Sequence, residues 1–135
     1  MSESEPDARA LVAGHGDFAA GLVSAVSQIT GRGDAFVTLS NRDMSAADVE
    51  RAMREEVDAR GLEVIFTDLP AGSCTMAARR LQRERPAVVL VTGTNLATLL
   101  DFVFHTDVLA GEAAQHAAEK GRASLVVTGG VPGGH

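Results

Sequence analysis

Four side chains in this sequence are placed to do chemistry: His15, bracketed by Gly14 and Gly16, then Asp68, Ser73 and the single cysteine, Cys74. A neutral imidazole keeps a lone pair on one ring nitrogen, able to attack an electrophile such as phosphorus. A carboxylate that accepts the other ring N–H fixes the tautomer and stabilises the positive charge developing on attack. A charge-assisted bond of that kind is typically worth about 1.5–3 kcal/mol. Asp68 can be that carboxylate or a helix-capping acceptor, and Ser73 can be a helix cap, a donor to phosphate, or both. Cys74 offers either a nucleophile in a His15–Asp68–Cys74 hydrolase arrangement or plain small-residue packing. His105, His116 and His135 lack the spacing of a metal site and read as surface residues, so neither a metal nor another cofactor is expected.

The elements around these residues follow from hydrophobic periodicity. Residues 8–13 read as a buried strand that turns sharply through Gly14-His15-Gly16 into a helix with Phe18, Leu22, Ala25, Val26 and Ile29 on its buried face. Gly31 and Gly33 close that helix, and Ala35-Phe-Val-Thr-Leu39 is a second strand. Ser45 with Asp48 forms a variant capping box ahead of a helix whose stripe is Val49, Ala52, Met53 and Val57, ending at Gly61. Leu62–Thr67 is the third strand, and Asp68-Leu-Pro-Ala-Gly-Ser-Cys74 turns into a helix carrying Met76, Ala77 and Leu81, which Pro86 stops.

A fourth strand, Ala87–Val91, leads to a helix capped by Thr94 or Asn95, with Leu96, Leu99, Leu100, Val103 and Phe104 inside. An alanine-rich helix from 110 to 120 then stops at Gly121, Ala123–Val127 is a short last strand, and residues 129–135 form a loose tail. This alternation defines an α/β fold: an open, doubly wound sheet of four parallel strands with helices on both faces, plus the short C-terminal strand. Its ligands belong at the carboxyl edge of the strands, where His15 and Asp68 meet if the first and third strands are neighbours. Amides at helix starts favour anions, by about 0.3–1 kcal/mol per helix end. Gly16, Gly72, Ser73 and Cys74 are therefore the candidate phosphate-binding residues, with His15 and Asp68 as the catalytic pair.

Composition narrows the partners. At 135 residues the chain is one domain, here 8–128, after a polar acidic lead-in at 1–7 that is unlike a signal peptide. One cysteine excludes an internal disulfide and suits the cytoplasm. A net charge of -6 disfavours nucleic acid, and no apolar stretch approaches the roughly 20 residues that span a bilayer. Arg79, Arg80, Arg83 and Arg85 read as a solvated helix face. Gly14-x-Gly16-x-x-Ala19 also fits a dinucleotide-binding fingerprint, but Ser40 and Asn41 stand where the ribose-binding acid belongs. A non-catalytic interaction domain of the same fold would carry no covalent modification.

Three stretches together resemble the mannose-family IIA component of the bacterial phosphoenolpyruvate-dependent sugar phosphotransferase system. They are Gly14-His15-Gly16 with Phe18-Ala19-x-Gly21-Leu22, Thr67-Asp68-Leu69 with Gly72-Ser73, and Thr92-Gly93-Thr94-Asn95-Leu96. The last of these is most similar to the N-acetylgalactosamine-type branch. The resemblance implies phosphorylation of His15 by the phosphocarrier HPr, and onward transfer to a IIB partner that works with a IIC/IID permease. It implies further that Asp68 orients the ring, that Ser73 lies near the phosphate, and that the chain is a homodimer whose last strand, 123–128, crosses to the partner's sheet. Where the family usually has Gly-Gly, then Ser or Thr, then Pro, this chain has Pro70-Ala71-Gly72-Ser73-Cys74. A regulatory carrier without its own permease stays open beside the transport role.

Overall fold

The computed structural model describes residues 8–131; the lead-in at 1–7 and the last four residues of the tail lie outside them. Four strands, β1 (Ala10–Gly14), β2 (Phe36–Ser40), β3 (Val64–Thr67) and β4 (Val89–Val91), form one sheet in the order β2-β1-β3-β4, with every pairing parallel. Five helices complete it: α1 (Phe18–Thr30), α2 (Ala46–Arg60), α3 (Ser73–Glu84), α4 (Leu96–Val103) and α5 (Ala110–Ala123). β1 and β3 are neighbours, with Ala13 opposite Thr67. The turns that follow them therefore leave the sheet side by side.

Alternation along the central strands splits the core in two. Ala10, Val12, Val64 and Phe66 face α1, α4 and α5, where Phe36, Phe66 and Phe102 form an aromatic cluster with ring centroids 5.1–6.1 Å apart. Leu11, Ala13 and Ile65 face α2 and α3 through Val49, Met53, Val57, Cys74, Ala77, Ala78 and Leu81. Ser45 caps α2 in the expected reciprocal box with Asp48, at 3.1 and 3.3 Å. Asn95, rather than Thr94, caps α4 through the Thr98 amide.

Several expectations need correction. Ile29 and Met76 are 61% and 44% exposed on their helices, and Phe104, expected inside, is 63% exposed because α4 ends at Val103 and Phe104 is its C-cap. Arg80 and Arg85 do more than face solvent: Arg80 pairs with Glu50 and Arg85 with Asp58, at 2.7 and 2.8 Å, tying α3 to α2. The largest change is at the end of the chain. α5 passes through Gly121 to Ala123, and residues 125–131 run without a strand. Helix packing overrides the glycine stop. Gly121 is buried against α4, where an added Cβ would collide with Thr98 and sit 3.0 Å from Asn95 Oδ1. Leu125, Val126 and Val127 have no sheet partner among the described residues and are exposed.

The helix interface yields a paired test. Gly121→Ala should destabilise the domain by about 1–3 kcal/mol through overpacking. Gly111→Ala, whose Cβ would meet only an ordinary contact at 3.7 Å from Val89, should stabilise it through helix propensity. Urea unfolding of the two variants checks the opposite signs.

Candidate functional site

The site grows from the two adjacent turns. Gly14 ends β1 where an added Cβ would lie 2.6 Å from the Phe18 ring and 2.8 Å from Asp68 Oδ2, so only glycine lets the three meet. Asp68, directly after β3, uses one oxygen twice. Its Oδ2 accepts the backbone N–H of His15 at 2.9 Å and lies 2.8 Å from His15 Nδ1. An ionised carboxylate only accepts, so the short ring contact assigns the proton to Nδ1 and leaves the lone pair on Nε2.

The electrostatics agree with that assignment. Burial alone would raise the Asp68 carboxyl; the hydrogen bonds from the His15 amide and ring more than offset it and hold the group below its ordinary value. The Asp68 side chain is 12% exposed, whereas that of His15 is 55% exposed. The anchor is shielded and the reactive edge is open.

Two helix starts flank the ring. His15 lies just ahead of α1, whose first intrahelical bond is Gly21 N–H to Asp17, and Gly72 opens α3, whose first is Met76 N–H to Gly72 at 2.9 Å. The amides of Ser73, Cys74 and Thr75 thus have no intrahelical acceptor and carry the positive end of the helix dipole. Gly72 sits against the ring, its hypothetical Cβ 3.4 Å from His15 Cε1, and takes φ +126°. Gly16 takes φ +53° at the start of α1.

Of the expected site residues, the structure brings together His15, Asp68, Gly16 and Gly72, with Ser73 next in line. Ser73 is the first residue of α3, and Gly72 holds the cap position. The Ser73 hydroxyl accepts from Asn41 Nδ2 at 3.0 Å. Asp68 likewise caps no helix through its side chain: its carboxylate is spent on His15. Cys74 contributes only its backbone. Its side chain is 1% exposed in the α2–α3 core, and burial, aided by the Asp68 charge, pushes the thiol up to about 11. A buried neutral thiol removes the hydrolase triad.

The residues after β2 escaped the sequence reading. Asn41 reaches Ser73, and Arg42, paired with Asp17 at 3.1 Å, comes within 3.4 Å of where a Gly16 Cβ would stand. β2 adjoins β1, so residues 41 and 42 emerge at the same edge as residue 15. That adjacency was the available signal. The histidine reading also changes: His105 and His116, eleven residues apart in the chain, are brought together with Asp101 by the packing of α4 on α5, away from this edge. His135 lies outside the described residues.

A parallel α/β domain with an exposed, carboxylate-anchored histidine at the carboxyl edge of its sheet is the class that these features define. Residues 9–120 match the family described as EIIA-man, PTS system fructose IIA component. The chain belongs to that family, whose members are phosphocarrier components of sugar phosphotransferase systems. Solved structures agree in fold. A phosphotransferase system component EIIA from Streptococcus agalactiae superposes with TM-score 0.79 at 21% identity, covering 88% of this chain and 95% of that one. The mannose/sorbose-specific IIA subunit from Enterococcus faecalis gives 0.75 at 20% identity, covering 94% and 98%. A IIA protein associated with the fucose utilization operon of Streptococcus pneumoniae gives 0.74 at 24%, covering 90% and 93%. No curated protein sequence matches significantly. The family and the missing ribose acid together set aside the dinucleotide reading.

Two measurements check the site as described. Cys74 should resist a disulfide reagent at pH 8 in the folded protein and react on denaturation; rapid labelling of the native chain would contradict its burial. The lowered Asp68 carboxyl contributes stability that is fully present above its unfolded value near 3.9 and is lost as pH falls through the lower folded value. Asp68→Asn should therefore flatten that acid limb of stability against pH, read by urea unfolding at a series of pH values.

Proposed function

We propose that His15 is the phosphoryl acceptor of this IIA component, taking the group from HPr and passing it to a IIB protein that serves a IIC/IID permease. The observation that carries this reading is a half-exposed ring pinned at Nδ1 by a shielded carboxylate, which leaves Nε2 as the nitrogen with the lone pair. On attack, a bond forms between Nε2 and phosphorus as the donor's nitrogen–phosphorus bond breaks, and the donor imidazole leaves with that electron pair. The proton on Nδ1 stays in place. Asp68 stabilises the cationic ring, and Gly16, Gly72, Ser73 and the Cys74 amide offer donors to the phosphate oxygens, with Arg42 as a nearby cation. Positioning and charge compensation are most of what phosphoryl transfer asks of a protein.

The same reading places the protein in the cytoplasm and makes it a homodimer. No helix among the described residues is long and apolar enough to cross a membrane. β4 is an edge strand, and Leu125, Val126 and Val127 are 67–92% exposed, which suits a last segment that pairs with a second copy's sheet. Removal of the residues after Ser124 should then give monomers by light scattering.

Incubation with phosphoenolpyruvate, Enzyme I and HPr should add one acid-labile phosphate per chain. His15→Ala should carry none, and label retained in that variant would refute the assignment. Asp68→Ala should slow transfer about 10- to 100-fold, the rate equivalent of one charge-assisted hydrogen bond. Stopped-flow or quenched transfer assays measure it, with circular dichroism as the check on folding.

A further inference from the structure

We propose that Asp101, His105 and His116 form a site for one divalent transition-metal ion of the zinc class, clamping α4 to α5 at a distance from the phosphoacceptor edge. One ligand atom from each of the three residues lies within 4.8 Å of the others. Asp101 Oδ2 is 2.7 Å from His116 Nδ1 and 3.5 Å from His105 Nδ1. Tetrahedral zinc, with metal–ligand bonds of about 2.0–2.2 Å, wants its donors a little over 3 Å apart, so rotations of the exposed imidazoles are enough to complete the geometry. Two imidazoles and a carboxylate are a donor set suited to zinc and its neighbours, and poorly suited to magnesium or calcium.

The surroundings favour a fixed site over a chance meeting of surface groups. The Asp101 side chain is 14% exposed, and among the described residues its only ion-pairing partners are the two histidines. A shielded carboxylate needs a compensating cation, and a neutral imidazole N–H supplies only a dipole. The turn that carries His105 is anchored from outside. Arg9 donates to the carbonyls of His105 and Val108, at 2.9 and 3.1 Å, with its guanidinium 5.2 Å from the Phe102 ring centroid. His105 Nδ1 also lies 2.9 Å from the Asp101 carbonyl, which keeps the ring beside the Asp101 carboxylate until a metal takes that nitrogen. The ring centroids of His105 and His116 lie 4.4 Å apart, with the planes tilted by 49°. Their side chains are 32% and 47% exposed, which leaves a coordination position for water.

Arg9, just before β1, reaches His105, so the cluster sits toward the amino edge of the sheet, opposite His15. Metal loading can thus be read without reference to phosphoryl transfer. The experiment is a calorimetric titration of the untagged, chelator-treated full chain with zinc ions, followed by cobalt(II) absorption spectroscopy. One equivalent should bind, with the intense visible bands of four-coordinate cobalt, and zinc should raise the thermal unfolding midpoint. His105→Ala, His116→Gln and Asp101→Asn should each weaken binding at least about tenfold, a loss no smaller than that seen when groups supporting a metal's ligands are removed. His15→Ala, which removes the chain's other imidazole–carboxylate pair, should bind normally. No saturable binding to the wild-type chain, binding unchanged in both histidine variants, or binding lost in His15→Ala would each overturn the assignment. His116 is exposed and its variant should keep the wild-type circular dichroism spectrum, so a loss of binding there reads on the metal; the same spectrum checks the fold of the part-buried His105 variant.

Discussion

One carboxylate oxygen holds the candidate site together. Asp68 Oδ2 takes both the main-chain and the ring N–H of His15, so the turn and the imidazole are fixed from the same point. The arrangement depends on β1 lying beside β3 in parallel register, with Ala13 opposite Thr67, so that the next residues leave the sheet together. It also depends on Gly14, where any side chain would push Phe18 and Asp68 apart. The neighbouring strand order β2-β1-β3 brings in residues 41 and 42 as well. A parallel sheet thus turns three distant chain segments into one edge.

The loop that carries Asp68 is held from below. Thr67 and Thr75 hydroxyls lie 2.7 Å apart in the interior, and the Thr75 hydroxyl donates to the Leu69 carbonyl at 2.6 Å. These bonds satisfy buried polar groups that would otherwise cost free energy, and they brace both ends of the 68–72 turn. The Thr94 amide adds a bond to the Thr67 carbonyl at 3.0 Å, linking the β4 side of the edge to the same strand end. The departures from the family's usual loop, Pro70-Ala71 and Cys74, fall on this braced scaffold. Pro70 and Ala71 are exposed and Cys74 fills core, so the first two change the loop's outer surface and the third its packing, while Asp68 still reaches His15.

Much of this was legible in the sequence because the elements are strongly periodic. The strand–turn–helix units, the Ser45 capping box and the convergence of His15 with Asp68 follow from pattern and from the rule for parallel sheets. What stayed hidden depends on tertiary contacts that leave no local signature. Asn41 and Arg42 have no motif, only a position beside β1. Gly121 reads as a helix stop, but its lack of a side chain is used for close packing on Thr98. Leu125-Val-Val reads as a strand because its propensity is high, yet a strand exists only where another offers hydrogen bonds. Asp101, His105 and His116 come together only through the contact of two helices.

The site's weakness as an anion trap is itself informative. A carrier must hold a phosphoryl group no more tightly than the next protein in the chain, or transfer stalls. Helix starts contribute about 0.3–1 kcal/mol each, and the one nearby guanidinium, Arg42, is shared with Asp17 in a pair whose side chains are 59% and 83% exposed. In the role proposed for it, Asp68, within hydrogen-bonding distance of the ring, opposes the charge of a phosphate on Nε2 even as it stabilises the imidazolium. In the carrier role proposed above, a strong positioning contact set against modest phosphate contacts is the balance that lets a phosphoryl group pass on rather than stay. A deeper pocket lined with unpaired arginines would bind phosphate better and carry it worse.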